Sequence, residues 1–214
     1  MITMVNTDEF QLIANQIESR LVEMDQSRDE LLKLSRTIIK YSGQSIESFH
    51  NNKKEQAEEK LKQAEQYVNK INTHLKEEKS HHQIGIIGVA FQEYAEARIL
   101  YDLIVKEKIP LVEELKITEQ AYLLGMADLI GELRRYILEK LVEGQIKEAK
   151  KYYEVMKEIY GTILQIEYGK NLVTDFRRKK DTARVLVERT LSDMFVALQS
   201  KSLEEKLQDK EDKN

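Results

Sequence analysis

The run GIIGVAFQEYAEARILYDLIV, Gly85 to Val105, reads as a buried helix, yet it carries two glutamates, Glu93 and Glu96. With Phe91 set at zero and about 100° per residue, Glu93 falls at roughly 200° and Glu96 at roughly 140°. Ile86, Val89, Leu100, Leu103 and Ile104 share that sector, whereas Tyr94, Arg98 and Asp102 lie opposite. A carboxylate in an apolar setting loses hydration and must be paired, protonated or bound to a cation. Two of them one turn apart also repel, which raises at least one pKa unless a cation sits between them. Two readings follow. Either both pair with Arg or Lys from another helix, or a hard divalent ion resides there.

A second acidic pair follows in EQAYLLGMADLIGELRRYILEKLVEG, where Asp128 and Glu132 stand one turn apart on one face. By periodicity alone they are ordinary polar-face residues, because Met126, Ile130, Leu133, Ile137 and Leu141 form the apolar face. Gly125 flanks the acidic face and Gly131 lies on its other side, so another backbone can approach there.

Helices must position these acids. The 214 residues include only 8 Gly and 1 Pro, too few punctuators for a sheet protein of this length. A hydrophobic fraction of 41% suffices for a core. Apolar periodicity predicts a helix from Asp8 to Tyr41, with Gly43 as its stop and Ser45 as the next N-cap. A second, very polar helix runs to Leu75, carrying Ile46, Phe49, Ala57, Leu61, Ala64, Val68 and Ile71, and much of it is expected to be solvent-exposed. The third is the opening run, ending before Pro110. Thr118 caps the fourth, which ends at Val142. A fifth spans Ile146–Tyr160 and a last one Arg177–Ser200. The expectation is an all-α, single-domain bundle of about six or seven helices over residues 1–200, with 201–214 as a charged, disordered tail.

Composition removes several classes. The absence of Cys excludes disulfides and thiolate metal sites. A net charge of -4 gives no global basic field, so nucleic acid would need a local patch. No apolar run approaches the roughly 18 residues of a membrane span, and no signal peptide is evident. A cytoplasmic protein is expected. Ferritin-like di-iron bundles use Glu-x-x-His pairs. Glu47-x-x-His50 and Glu78-x-x-His81 have that spacing, but neither lies in an amphipathic helix core.

Two cationic clusters are candidates for phosphate contact. Lys33, Arg36 and Lys40 fall within about 60° of one another on the first helix, and Arg177, Arg178, Lys179 and Lys180 are consecutive. Lys and Arg contacts to phosphate supply affinity without sequence preference. The alternative for both clusters is an ordinary solvated helix face.

The motifs FQEYAEA and AYLLGMADLIGELRR together resemble the translin family, in its translin-associated factor X branch. LLKLSRTIIKYS, Leu31–Ser42, is similar to that branch's first helix, and FRRKKD, Phe176–Asp181, to the shared C-terminal region. The resemblance spans roughly residues 10 to 200. It implies a fold of about seven helices, closed barrel-like homo-oligomers, octamers among them, and a metal-dependent endoribonuclease for single-stranded RNA, with single-stranded DNA as a related ligand. The family's catalytic acids fall on Glu93, Glu96, Asp128 and Glu132, and all four are present. The short connector around Pro110 points to a compact version.

Four such carboxylates can hold one or two Mg²⁺ or Mn²⁺ ions, which prefer oxygen ligands. The alternative function is a non-catalytic single-stranded nucleic-acid-binding or scaffold protein of the same fold, which would not need the complete acidic set.

Overall fold

The computed structural model describes residues 7–78, 84–167, 173 and 175–211. Among the described residues there are seven helices and no strand: α1 Thr7–His50, α2 Lys54–Glu78, α3 Ile84–Val105, α4 Val112–Leu115, α5 Glu119–Val142, α6 Ile146–Gln165 and α7 Phe176–Glu211. None is long and apolar enough to cross a membrane. α3 packs between α1 and α5, and α2 covers α1. α6 and α7 pack on the far side of α5 and on each other.

The centre is α3. Ile87, Ala90, Phe91, Tyr94, Ala95, Ile99 and Leu100 are all buried, and they point in every direction around the axis. A helix apolar all round belongs in a core. Tyr94 and Asp102, expected opposite the apolar sector, are therefore buried too, while Val89 is exposed.

Several helix bounds differ from the sequence expectation. Gly43 does not stop the first helix, and Ser45 caps nothing. α1 continues through both to His50, because Ile38, Ser42, Ile46 and Phe49 extend the buried stripe past the glycine. The penalty of an interior Gly, roughly 0.5–1 kcal/mol, is smaller than burial of those side chains. The Ser45 hydroxyl instead donates to the carbonyl of Ala57 on α2 at 2.9 Å. The real turn is at Asn51–Lys53, where Asn52 adopts φ 59°. In burial, α2 is as the sequence indicates: Ala57, Leu61, Ala64, Val68 and Ile71 form a narrow, fully buried stripe, and the rest of the helix is partly or fully exposed. The backbone of α7 is helical through Glu211, beyond Ser200 and into the charged segment expected to be disordered. α6 likewise passes Tyr160 to end at Gln165, and α4 was not anticipated.

The start of α5 is as the sequence indicates. Thr118 accepts from the Ala121 amide at 3.3 Å, satisfying one of the free N–H groups of the first turn.

Candidate functional site

The acids meet where α3 and α5 touch. A Cβ on Gly125 would stand 2.7 Å from the Gln92 carbonyl oxygen, 2.8 Å from the Ala95 Cβ and 3.0 Å from the Glu96 amide nitrogen. Only glycine permits this approach. Gly131 has no such role, since the nearest neighbour of a Cβ there is a Leu186 methyl at 4.0 Å. One turn beyond Gly125, the Asp128 carboxylate accepts from the Gln92 side-chain amide at 2.6 Å. Asp128 and Glu132 thereby come within electrostatic reach of Glu93 and Glu96.

Glu96 is 8% exposed. Burial pushes its carboxyl up to about 9, with Asp128, Glu93 and Glu132 adding repulsion in that order and Lys179 opposing them. Glu93 is raised as well, first by burial and then by Asp128, again against Lys179. Neither has a hydrogen-bond or ion-pair partner among the described residues. The other pair is committed. Asp128 receives Lys179 Nζ at 2.5 and 2.6 Å on its two oxygens. Glu132 faces Nε2 of His50 at 2.8 Å, and the other ring nitrogen of His50 faces Glu139 at 2.9 Å.

Of the two readings of Glu93 and Glu96, pairing with a basic residue of another helix is absent among the described residues: the nearby Lys179 goes to Asp128. Among the described residues no group of three or more His, Asp or Glu is arranged to hold a metal ion. The donor chemistry nevertheless suits a hard divalent cation: all four groups are carboxylates, Asp128 and Glu132 raise Glu93 and Glu96 by repulsion, and Lys179 opposes them.

The structure divides the expected basic residues. Lys33, Arg36 and Lys40 are exposed on α1 and form no ion pair among the described residues. Arg177 is exposed likewise, and Arg178 pairs with Asp175 at 3.4 Å. Lys179 belongs to the acidic site. Lys180 donates to the Ile166 carbonyl at 2.9 Å beyond the C-terminus of α6 and lies over the Phe176 ring. The consecutive run RRKK is therefore not one surface patch.

Gln92, His50 and Glu139 escaped sequence reasoning. The sequence places Glu47 and His50 outside an amphipathic helix core, whereas the structure seats His50, buried, in the last turn of α1. The signal available was the apolar phase of Ile46 and Phe49, which carries the helix to its last turn. His81 lies outside the described residues.

The Translin family profile matches residues 26–190. The chain is 32% identical over 195 residues to the uncharacterized protein MJ0175 of Methanocaldococcus jannaschii, covering 90% of this chain and 86% of that one. Among solved structures it is similar to AfC3PO, determined alone and in complex with duplex RNA, with a TM-score of 0.79, 35% identity and coverage of 87% of this chain and 97% of that one. It is also similar to apo-NeC3PO, with a TM-score of 0.78, 25% identity and coverage of 86% and 96%. A family match over this span, with a relative at this identity, settles the membership: the chain belongs to the translin family.

Proposed function

We propose that this chain is a divalent-metal-dependent endoribonuclease for single-stranded RNA, working inside a homo-oligomeric helical shell. The observation that carries the reading is the pair Glu93 and Glu96, without a hydrogen-bond or ion-pair partner among the described residues at the contact of α3 and α5, and within electrostatic reach of two further acids. Burying carboxylates without neutralisation is costly, and a fold that keeps four together needs a reason for them. The similarity to AfC3PO in complex with duplex RNA supports RNA as the ligand class.

Glu93 and Glu96 from α3, with Asp128 and Glu132 from α5, would hold the ion. When bound, Mg²⁺ or Mn²⁺ supplies a water of lowered pKa and neutralises charge on the phosphoryl oxygen and the leaving oxygen. The chain's own residues prepare that site. Glu96 would give up its proton to serve as a ligand, and Lys179, paired with Asp128 in this structure, would be the cation nearest an incoming phosphate. Gln92 keeps Asp128 oriented through its amide. Lys33, Arg36, Lys40 and Arg177 are free to contact the RNA backbone. Exposed apolar residues support the shell: Phe10, Ile13, Ile17 and Leu21 on the first turns of α1, and Leu191, Phe195 and Val196 on α7, have no partner within the chain's core.

A second reading, a binder without catalysis, is favoured by the Lys179–Asp128 ion pair, which neutralises part of the site with a protein cation. One assay separates the two. Labelled single-stranded and duplex RNA are incubated with Mg²⁺ or Mn²⁺, with and without EDTA, and the native mass is measured on the same preparation. Chelator-sensitive cleavage of the single strand by an oligomer is expected. Binding without cleavage at any metal concentration selects the binder.

A further inference from the structure

His50 is the last residue of α1, and its side chain is 0% exposed. Each of its ring nitrogens faces a carboxylate of α5: Nε2 meets Glu132 at 2.8 Å and Nδ1 meets Glu139 at 2.9 Å. Those acids are seven residues, about two turns, apart on one helix face, so a single imidazole spans them. The ring is also walled in. Phe49 stands edge-on to it at 5.3 Å, and Phe49 in turn packs on Tyr136 at 5.7 Å. Behind Glu139, Arg135 Nε donates to its other oxygen at 3.2 Å. The chain Arg135–Glu139–His50–Glu132 thus runs from the protein surface to the acidic site.

We infer that His50 is a positioning residue: anchored by Glu139 and Arg135, it fixes the orientation of the Glu132 carboxylate toward Glu93, Glu96 and Asp128. A Glu side chain has three rotatable bonds, and Glu132 shares a face with Asp128, which repels it. Without a donor on its far oxygen it would turn to solvent. His50 holds one oxygen at 2.8 Å, and the other has no hydrogen-bond partner among the described residues. Groups behind a metal ligand act in this way, and their loss typically weakens metal binding about 10–100-fold. The inference rests on the nuclease reading above.

The test uses the full-length oligomer, free Mn²⁺ measured by electron paramagnetic resonance, single-turnover cleavage and melting temperature. An amide of Gln at position 50 stands about where Nε2 stands and can still donate to Glu132. The shorter Asn places its amide near Nδ1 and serves only Glu139. His50→Gln should keep Mn²⁺ affinity within about threefold of wild type, whereas His50→Asn and His50→Ala should weaken it about tenfold or more and slow cleavage at subsaturating Mn²⁺. Equal Mn²⁺ affinity in all three variants, whatever their melting temperatures, would reduce His50 to a strut between α1 and α5 and overturn the assignment. Should the His50 variants fail to assemble, Glu139→Gln decides: weakened Mn²⁺ binding supports the relay and unchanged binding overturns it. A wild-type protein that neither binds Mn²⁺ nor cuts RNA would overturn the nuclease reading and this assignment together, a result distinct from loss of the His50 effect alone.

Discussion

Lys179, from the first turn of α7, places its ammonium 2.5 and 2.6 Å from the two carboxylate oxygens of Asp128 on α5. Both side chains are mostly buried, so this pair is far less screened than one on the surface. It also competes with any cation that seeks Asp128. Lys179→Met should therefore have two opposite effects. The metal-free protein should lose about 1–2 kcal/mol, because Asp128 loses its ion-pair partner in a mostly buried site. Apparent Mn²⁺ affinity should rise, since no lysine needs to be displaced. Calorimetric melting and Mn²⁺ titration on one sample check both. Weaker Mn²⁺ binding in the variant would mean that Lys179 helps build the site.

Glu96 sets a pH dependence whose sign is fixed. Its carboxyl titrates near 4.5 when unfolded and at about 9 when folded. Between those values the folded state holds a proton that the unfolded state has lost. The stabilising contribution is fully present below about pH 4.5 and is lost as pH rises toward 9. Metal-free wild type should thus lose stability across this window relative to Glu96→Gln, measured by urea melts in EDTA. The same variant should lose RNA cleavage and keep RNA binding, because the amide preserves shape but not the charge a cation needs. Mn²⁺ binding at pH 7 should release about one proton in wild type and none from this position in the variant. A parallel pH profile for both proteins would remove Glu96 from the account.

Two glycines should respond oppositely to alanine. At Gly125 the new methyl would sit 2.7 Å from the Gln92 carbonyl, so α3 and α5 must part. Overpacking of this kind costs about 1–3 kcal/mol, and the acids on the two helices would separate with the backbones. At Gly43 a Cβ meets nothing within 4 Å. Gly43→Ala in the middle of α1 should stabilise by about 0.5–1 kcal/mol. Paired denaturant melts decide the matter, and a neutral Gly125→Ala would show that the contact can relax.

The acidic site was half legible in the sequence. The angular placement of Glu93 and Glu96 showed carboxylates in an apolar stripe, and both lie at the buried contact of α3 and α5. The helix is in fact buried on nearly every side, so the division of α3 into two faces failed for Tyr94, Asp102 and Val89. Periodicity assumes one wet face, and a central helix has none. The partners were less legible still. Nothing local ties His50 to Glu132 or Lys179 to Asp128, since these contacts join residues 82 and 51 positions apart. Gly43 misled for a different reason: local breaker chemistry was outweighed by an apolar stripe that continued beyond it.

RNA affinity should depend on the lysines and arginines that the fold leaves free, not on all that the sequence offers. Arg36 and Lys40 are exposed on α1 with no ion pair among the described residues, whereas Lys180 is spent on the Ile166 carbonyl at the end of α6. Each phosphate contact to a single strand releases about 0.7 counterion. Arg36→Ala and Lys40→Ala should each weaken RNA binding and flatten its log–log salt dependence by about that amount, with melting temperature nearly unchanged. Lys180→Ala should do the reverse, lowering the melting temperature because it uncovers carbonyls that α6 leaves unsatisfied, while the salt slope stays at its wild-type value. Fluorescence anisotropy on labelled single-stranded RNA over a salt series reads the slope directly. An unchanged slope for the Arg36 and Lys40 variants would return that stripe to an ordinary solvated face and move the search for the RNA path to Arg177.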